Sequence, residues 1–534
     1  MTEFAFPCPV TTAAALARAA LIAPDIEAVV APDGRATYAE LEERVLALSG
    51  AMARFGIRHG DHVGLCIGNG LRWIEMFLAA SRIGAVVVPV NTRLRAQEIA
   101  YMLRQSRTSV LFVADRFLKI DFIALLREIC PAIDARLPDA ALPDLHRIVV
   151  IGEDVPAAAL SWESFFTAGA PAVAGCAPDD RLLIQYTSGT TSFAKGVMLT
   201  HRSMVANAFF SGVRMGLRPG DRIFSARPFF HVAGTSQSIL TAIHHAVTLV
   251  TMDRFTAGEA LALMERERCT HFSGNDTIAL MLLDQPDRDT HAIALRGAWV
   301  AGSPPVVRRV VEELGARETV VAYGLSEAAP NVAISCWWEP VADRISCRMR
   351  PQPGVEVRIV DPETSRFSPP GADGEIQVRG WNVMQEYFDM PEQTASAFTP
   401  DGWLRTGDRG SLDAEGRLRF LGRYKDIIRV GGENVSPLEV EELLLRHPDI
   451  RMAQVVGVPD ARLQEVVAAF VVLQEGATCT PEDIVAWSQA SMGGFKAPRY
   501  AHVVDSFEHI GMTASAKVQK KELAAYAATL FGLA

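Results

Sequence analysis

Short apolar runs alternate with helical stretches from Thr37 to the neighbourhood of Gly422, and this alternation constrains the architecture more than any other feature. Thr37 and Glu40 have the spacing of a capping box. Leu41, Val45, Leu48, Met52 and Phe55 then follow a helical repeat, and Gly56 suits a left-handed stop. An apolar run at Val63–Ile67, a helical stretch at Leu71–Arg82 and a second run at Ala85–Val90 make a βαβ pattern. Similar strand-like runs recur at Val110–Val113, Ile148–Ile151 and Leu182–Tyr186. The pattern predicts a large α/β body with parallel sheets. A chain of 534 residues is also too long for one hydrophobic core, so two or more domains are expected.

The character changes after residue 422. Lys425–Val430 reads as a short strand. Ser436 is the predicted N-cap of a new helix, with Pro437 as its first residue and Glu439 as the capping partner. Short strands and helices then alternate to the C-terminus, which predicts a small α+β domain. The expected division is 1–422, a hinge at 423–426, and 427–534.

A net charge of -10 without any Lys/Arg-rich run argues against a nucleic-acid or anionic-membrane surface. The cysteines form no CxxC pair and no zinc-like spacing with histidine, and they read as reduced thiols. The N-terminus lacks a basic stretch before its apolar residues, and no apolar run approaches the ~18 residues of a membrane span. A cytoplasmic protein with no integral membrane segment is expected.

Five segments carry chemistry. In Tyr186-Thr187-Ser188-Gly189-Thr190-Thr191-Ser192-Phe193-Ala194-Lys195-Gly196 a strand runs into hydroxyls and glycines that end in a lysine. Small residues let backbone N–H groups approach a polyphosphate, and the lysine adds charge. The bland alternative is a Ser/Thr-rich surface turn. A Walker A loop fits poorly, because Lys195 is followed by Gly196. In Tyr323-Gly324-Leu325-Ser326-Glu327 an aromatic ring suits a purine, a hydroxyl a phosphate and a carboxylate a magnesium ion, although alone the segment could be a helix-start turn. Gly402–Asp408 places a carboxylate beside a tight turn. Gly422–Asn434 and Thr513–Lys517 complete the set, the last a lysine among small residues.

In this order and at these separations the segments resemble the adenylate-forming superfamily of acyl-CoA synthetases, luciferases and peptide-synthetase adenylation domains, across nearly the whole chain. The resemblance implies a large N-terminal domain of two α/β subdomains plus a distorted β-barrel, with a small mobile C-terminal domain. It implies an ATP-dependent carboxylate–CoA ligase that makes an acyl-adenylate and passes the acyl group to CoA. ATP, Mg²⁺ and coenzyme A are the expected ligands, with a small-molecule carboxylic acid as substrate and a homodimer left open. By position, Thr187, Ser188, Gly189, Thr190, Thr191 and Lys195 correspond to the phosphate loop. Tyr323 and Gly324, with Gly302, Ser303 and Pro304, correspond to the adenine site. Ser326 and Glu327 correspond to the phosphate and magnesium positions, Asp408 and Arg423 to the ribose contacts, and Lys425 to the hinge. Lys517 corresponds to the lysine that bridges carboxylate and α-phosphate, and Gly431 and Gly432 to the backbone flanking the pantetheine tunnel.

The chain departs from the family pattern at Ser192 and Ala194, where glycine and proline are usual, and at Ala516, where glycine is usual. A Cβ at 516 would hinder closure if the native φ is positive. The acyl pocket is expected at Phe230, His231, Gly234, Ser236, Asn275 and Ala301. His231 speaks against an amino-acid substrate, and the Ala301 methyl should narrow the pocket. Asp276 reads as the cap of the helix Thr277–Leu283. A small to medium aliphatic, alicyclic or aryl acid follows. The alternatives are a ligase that loads a carrier protein and a retired nucleotide-binding homologue.

Overall fold

A computed structural model describes residues 4–166, 172, 175–187, 194–513 and 516–533. Two large sheets form the body. In the nine-stranded sheet Glu27–Ala31, Thr248–Val250, Arg222–Ser225, His271–Asn275, Gly297–Ala301 and Val320–Gly324 lie side by side and parallel. The seven-stranded sheet has a parallel centre of Arg181–Tyr186, Val86–Pro89, His62–Cys66, Val110–Ala114 and Arg147–Ile151. The strands of this seven-stranded sheet are the apolar runs predicted from the sequence, buried on both faces as parallel strands require.

The helices between the sheets form where their local signals placed them. Tyr38–Arg54 starts on a Thr37–Glu40 capping box, with Gly56 left-handed after its end. Leu71–Arg82 has the predicted bounds. Their apolar faces merge with Val63, Leu65 and Phe112 of one sheet and Ile223 and Leu249 of the other, so one core bridges both. Trp73, 1% exposed and stacked on Phe77 at 5.4 Å, anchors it. Truncating such a residue to alanine costs about 3–5 kcal/mol.

Four antiparallel strands, Val355–Val360, Asp373–Gly380, Leu404–Leu412 and Leu418–Arg423, stand where the resemblance implied a distorted barrel. Beyond them a separate sheet of Ile428–Val430, Glu433–Val435, Ile450–Asp460, Gln464–Leu473 and Tyr500–Val503 packs with helices Pro437–Leu444, Pro481–Ser491 and Lys520–Leu530 around cores of its own.

Two local expectations are corrected here. Lys425–Val430 is not a continuous strand: Tyr424–Asp426 is a 3-10 turn and the strand begins at Ile428. Ser436 precedes the helix Pro437–Leu444, but its hydroxyl donates to the Leu421 carbonyl at 2.9 Å and makes no cap bond, while Glu439 pairs with Lys496. Both residues serve long-range contacts that a capping pattern cannot show. All eight cysteines are free thiols. The fold does bring Cys479 near His447 and Asp449, with ligand atoms within 4.8 Å of one another, a proximity invisible in the sequence spacing. Among the described residues no helix is long and apolar enough to cross a membrane.

Candidate active site

The carboxyl ends of parallel strands gather the candidate residues, as they do in open α/β sheets generally. Tyr323 and Gly324 end one strand, Ala301 the next and Asn275 the third. Asp408 and Arg423 face each other in register on adjacent antiparallel strands. The Tyr323 ring stacks on Phe420 at 5.3 Å, and its hydroxyl donates to Asp408 Oδ2 at 2.8 Å. Arg423 Nε lies 3.2 Å from the other carboxylate oxygen. Burial raises the Asp408 pKa, against the pull of the Arg423 charge and the Tyr323 hydrogen bond.

The adenine-side segment is built on a close approach. A Cβ on Gly302 would run into the Asp276 carboxylate, which accepts the Ser303 amide at 3.0 Å with each oxygen. Pro304 is the first residue of the helix Pro304–Glu313. Asp276 therefore does not cap its own helix. Asn275 does, accepting Ile278 N at 3.0 Å, and Asp276 holds the neighbouring loop instead. Burial pushes the Asp276 carboxyl up to about 7, with Glu441 and Glu442 of the C-terminal region adding to the rise.

On the phosphate side, Thr187 N donates to Lys195 O at 3.0 Å, closing the loop's base. Ser188, Gly189, Thr190 and Thr191 lie outside the described residues, as does Ser192. Lys195 Nζ sits 4.6 Å over the Tyr387 ring, and the Tyr387 hydroxyl donates to Glu327 Oε1 at 2.8 Å. Tyr387 thus couples the predicted loop lysine to the predicted metal carboxylate. It belongs to none of the five segments, and no local signal marks it. Glu327 Oε2 has no partner among the described residues, so a hard oxygen-seeking cation fits there. Ser326 opens the short turn Ser326–Ala328 that carries Glu327.

From the C-terminal region Lys517 reaches the same cleft. Arg93 Nη1 donates to Thr513 O at 3.3 Å, and Lys517 N to Thr513 Oγ1 at 3.0 Å, which ties the loop to the body. The Lys517 side chain is accessible within the cleft yet surrounded by protein. That enclosure, with the nearby Arg423 charge and against the attraction of Asp408, brings its pKa down to about 8. Ala516 beside it has φ +56°, the left-handed conformation for which glycine is suited.

The predicted acyl residues frame a second wall. His231 caps the short helix Val232–Gly234, its Nδ1 accepting Ala233 N at 3.3 Å. Burial, then the charges of Arg227 and Lys517, lower its pKa to about 4, so the ring is neutral. Phe230 O accepts Gln185 Nε2 at 2.9 Å, and Ser236 lies buried in the π-helical turn Thr235–Leu240. Gly234 must lack a Cβ, which would strike Pro228 O. The Ala301 side is exposed to the cleft. Ser225 Oγ and Ser238 Oγ are 2.7 Å apart, so the π-helical turn covers the sheet face that also carries Ser273 and Trp299. Lys425 lies on the 3-10 turn between the two sheets, and Gly431–Gly432 turns the exposed hairpin from Ile428 to Val435.

Comparison with known proteins gives consistent matches. The family model of the AMP-binding enzyme matches residues 16–388, and that of the AMP-binding enzyme C-terminal domain matches residues 439–517. The medium-chain acyl-CoA ligase ACSF2, mitochondrial, of Danio rerio is 33% identical over 521 residues, covering 94% of this chain and 85% of its own. The 3-[(3aS,4S,7aS)-7a-methyl-1,5-dioxo-octahydro-1H-inden-4-yl]propanoyl:CoA ligase of Rhodococcus jostii is 35% identical over 528 residues, covering 96% and 98%. Among solved structures, the anthranilate CoA ligase AuaEII in complex with anthranoyl-AMP superposes with a TM-score of 0.86 at 26% identity, covering 98% of this chain and 99% of its own.

Proposed function

The chain belongs to the AMP-binding enzyme family, and from that premise we propose how its residues divide the work of an ATP-dependent carboxylate–CoA ligase. In the first half-reaction a carboxylate oxygen attacks the α-phosphorus of ATP, the bond to the β-phosphate oxygen breaks, and pyrophosphate leaves. In the second the CoA sulfur attacks the acyl carbon, AMP departs, and the thiol proton passes to solvent.

The observation that carries the residue assignment is the meeting of Lys517 with Asp408, Arg423 and His231 in one cleft. An anion approaching a polyanion is the main barrier to the first step. A lysine enclosed beside both lowers it, because charge terms are large where water is scarce. Asp408 and Arg423 take the ribose, and Tyr323 with Gly324 and the Gly302–Pro304 turn takes the adenine. Ser326, Thr187 and Lys195 take phosphates together with the loop residues Ser188 to Thr191. Glu327 is the residue to hold Mg²⁺, which neutralises phosphate charge when bound. We assign 423–426 as the hinge, with Lys425 at its centre, between an adenylating body (1–422) and a small domain (427–534). Rotation there exchanges the Lys517 loop for the surface around Gly431 and Gly432 that admits CoA.

The acid occupies the wall from Phe230 and His231 to Ala301. We assign it as small to medium, aliphatic, alicyclic or aryl. The neutral His231 offers no charge to hold an amino-acid ammonium. A cytoplasmic setting suits the free thiols.

The test is direct. Purified protein receives Mg-ATP, CoA and acids from acetate to hexadecanoate, with benzoate and cyclohexanecarboxylate, while AMP, pyrophosphate and acyl-CoA are measured. Acid-dependent AMP with matching acyl-CoA supports the reading. Pyrophosphate without acyl-CoA would move the acceptor to a carrier-protein thiol, and ADP as product would refute adenylation.

A further inference from the structure

The ligase reading leaves the far end of the acyl group without a partner, and one buried side chain near the predicted acyl residues stands out. Arg227 is 7% exposed. It follows the strand Arg222–Ser225 and sits over the sheet face that carries Ser273 and Trp299. Its guanidinium lies 4.3 Å above the Trp299 ring. Nε donates to Ser273 Oγ at 2.9 Å, and Nη2 donates to the Gly274 carbonyl. Among the described residues Nη1 has no hydrogen-bond partner, and Arg227 forms no ion pair.

Two other arginines are buried without a carboxylate, and they show what a structural arginine looks like in this molecule. Arg214, 7% exposed, donates to the carbonyls of Ile334, Arg350 and Pro351. Arg344, 3% exposed, donates to those of Glu339, Arg317 and Thr319. Each closes loop ends through three main-chain acceptors. Among the described residues Arg227 has only two hydrogen-bond partners, one main-chain carbonyl and one hydroxyl, and each of the three arginines keeps one nitrogen over: Nε of Arg214, Nη2 of Arg344 and Nη1 of Arg227. Nη1 of Arg227 keeps some accessible surface, so an acceptor can reach it. Burial lowers its pKa to about 9.

Its position says where that acceptor comes from. Trp299 and Ser273, which Arg227 touches, lie on the same sheet face as Ala301 and Asn275, two residues further along each strand, and the neutral His231 ring feels the charges of both Arg227 and Lys517. An acyl group that enters at Ala301 and runs along that face meets Arg227.

We propose that Arg227 is a specificity residue, whose free Nη1 takes a hydrogen-bond-accepting oxygen carried by the acyl group itself, a ketone or a second carboxylate remote from the reacting one. The substrate class is then an oxo- or dicarboxylic acid, not a plain hydrocarbon acid. This rests on the ligase reading, and it deepens the substrate assignment without altering the chemistry.

Full-length enzyme with Mg-ATP and CoA is given matched acids: octanoate, 7-oxooctanoate and octanedioate, and cyclohexanepropanoate with its 4-oxo counterpart. The readout is kcat and KM for acid-dependent AMP release. An oxygenated member should exceed its plain partner in kcat/KM by about tenfold or more, the yield of one hydrogen bond to a charged donor. In Arg227→Met that ratio should collapse by about the same factor, carried mainly by KM. Arg227→Lys, which keeps the charge, should recover part of it. Preference for the 7-oxo acid assigns a neutral ketone, and preference for octanedioate an anion. If the wild-type enzyme favours the plain member of both pairs, the proposal falls whether or not any variant folds. It falls equally if Arg227→Met slows both members of each pair alike, for Arg227 is then a brace like Arg214. Turnover of none of the acids refutes the ligase reading as well, which separates the two failures.

Discussion

Replacing Tyr323 by phenylalanine tests whether the nucleotide site depends on a tyrosine that orients a carboxylate. The ring keeps its stack on Phe420, so the change removes one hydroxyl and little apolar contact. Asp408 is 3% exposed and has two holders, the Tyr323 hydroxyl at 2.8 Å and Arg423 Nε at 3.2 Å. A hydrogen bond to a charged group contributes about 1.5–3 kcal/mol. Arg423 still holds one oxygen, so about half of that should reach the ribose contact, roughly 1.4 kcal/mol or about tenfold in the KM for ATP, with kcat nearly unchanged. The hydroxyl favours the ionised carboxylate, and its loss raises an already raised pKa further. The KM penalty should therefore grow as pH falls. The assay is steady-state AMP release in a double-mutant cycle with Asp408→Asn. If Tyr323 acts through Asp408, the double variant binds ATP no worse than Asp408→Asn alone. Additive effects would refute the reasoning and give Tyr323 an independent contact with the nucleotide.

Lys517→Ala should slow acyl-adenylate formation by about 10²–10³, measured as acid-dependent ATP–pyrophosphate exchange. With a pKa near about 8, the free wild-type enzyme loses the ammonium as pH rises. Exchange should fall on the alkaline side, and Lys517→Arg should push that fall to higher pH; an unmoved limb would point to another group. Asp276 carries its proton to about 7 in the folded state, against roughly 3.9 unfolded, so the native state binds more protons in that window and its stability declines as pH rises through it. The melting temperature of Asp276→Asn relative to wild type should accordingly rise between about pH 4 and pH 7, and a constant difference would contradict the burial argument. Ala516→Gly relieves a left-handed alanine at φ +56°, worth about 1–2 kcal/mol less roughly 0.4–1 kcal/mol of added chain entropy. Pyrophosphate exchange should rise about two- to fivefold; a slower variant would show that the alanine helps to hold Lys517 in place.

What was legible in the sequence is what local patterns encode. The Thr37–Glu40 box, the repeat from Leu41 to Met52 and the bounds of Leu71–Arg82 depend on neighbours a few residues apart, and the structure reproduces them. The parallel strands of the seven-stranded sheet were visible because burial on both faces leaves an unbroken apolar run, whereas strands of the nine-stranded sheet such as Arg222–Ser225 and His271–Asn275 carry polar residues that break the run. The failures share one cause. Ser436 has every mark of an N-cap, yet its hydroxyl turns to Leu421, fifteen positions away, and Asp276 serves Ser303 across two strands. A polar side chain near a helix start has a choice of acceptors and donors, and only the fold supplies the competitors.

The same reasoning separates ordinary polar residues from functional ones. Tyr387 reads as any tyrosine in a loop until its ring is found under Lys195 and its hydroxyl on Glu327. No local pattern in the sequence separates Arg214, Arg227 and Arg344, and all three are buried. What distinguishes Arg227 is a count of partners, every one contributed by a distant strand. Burial alone would class it with the other two. Its place on the sheet face that ends at Asn275 and Ala301 turns a packing residue into a statement about the substrate.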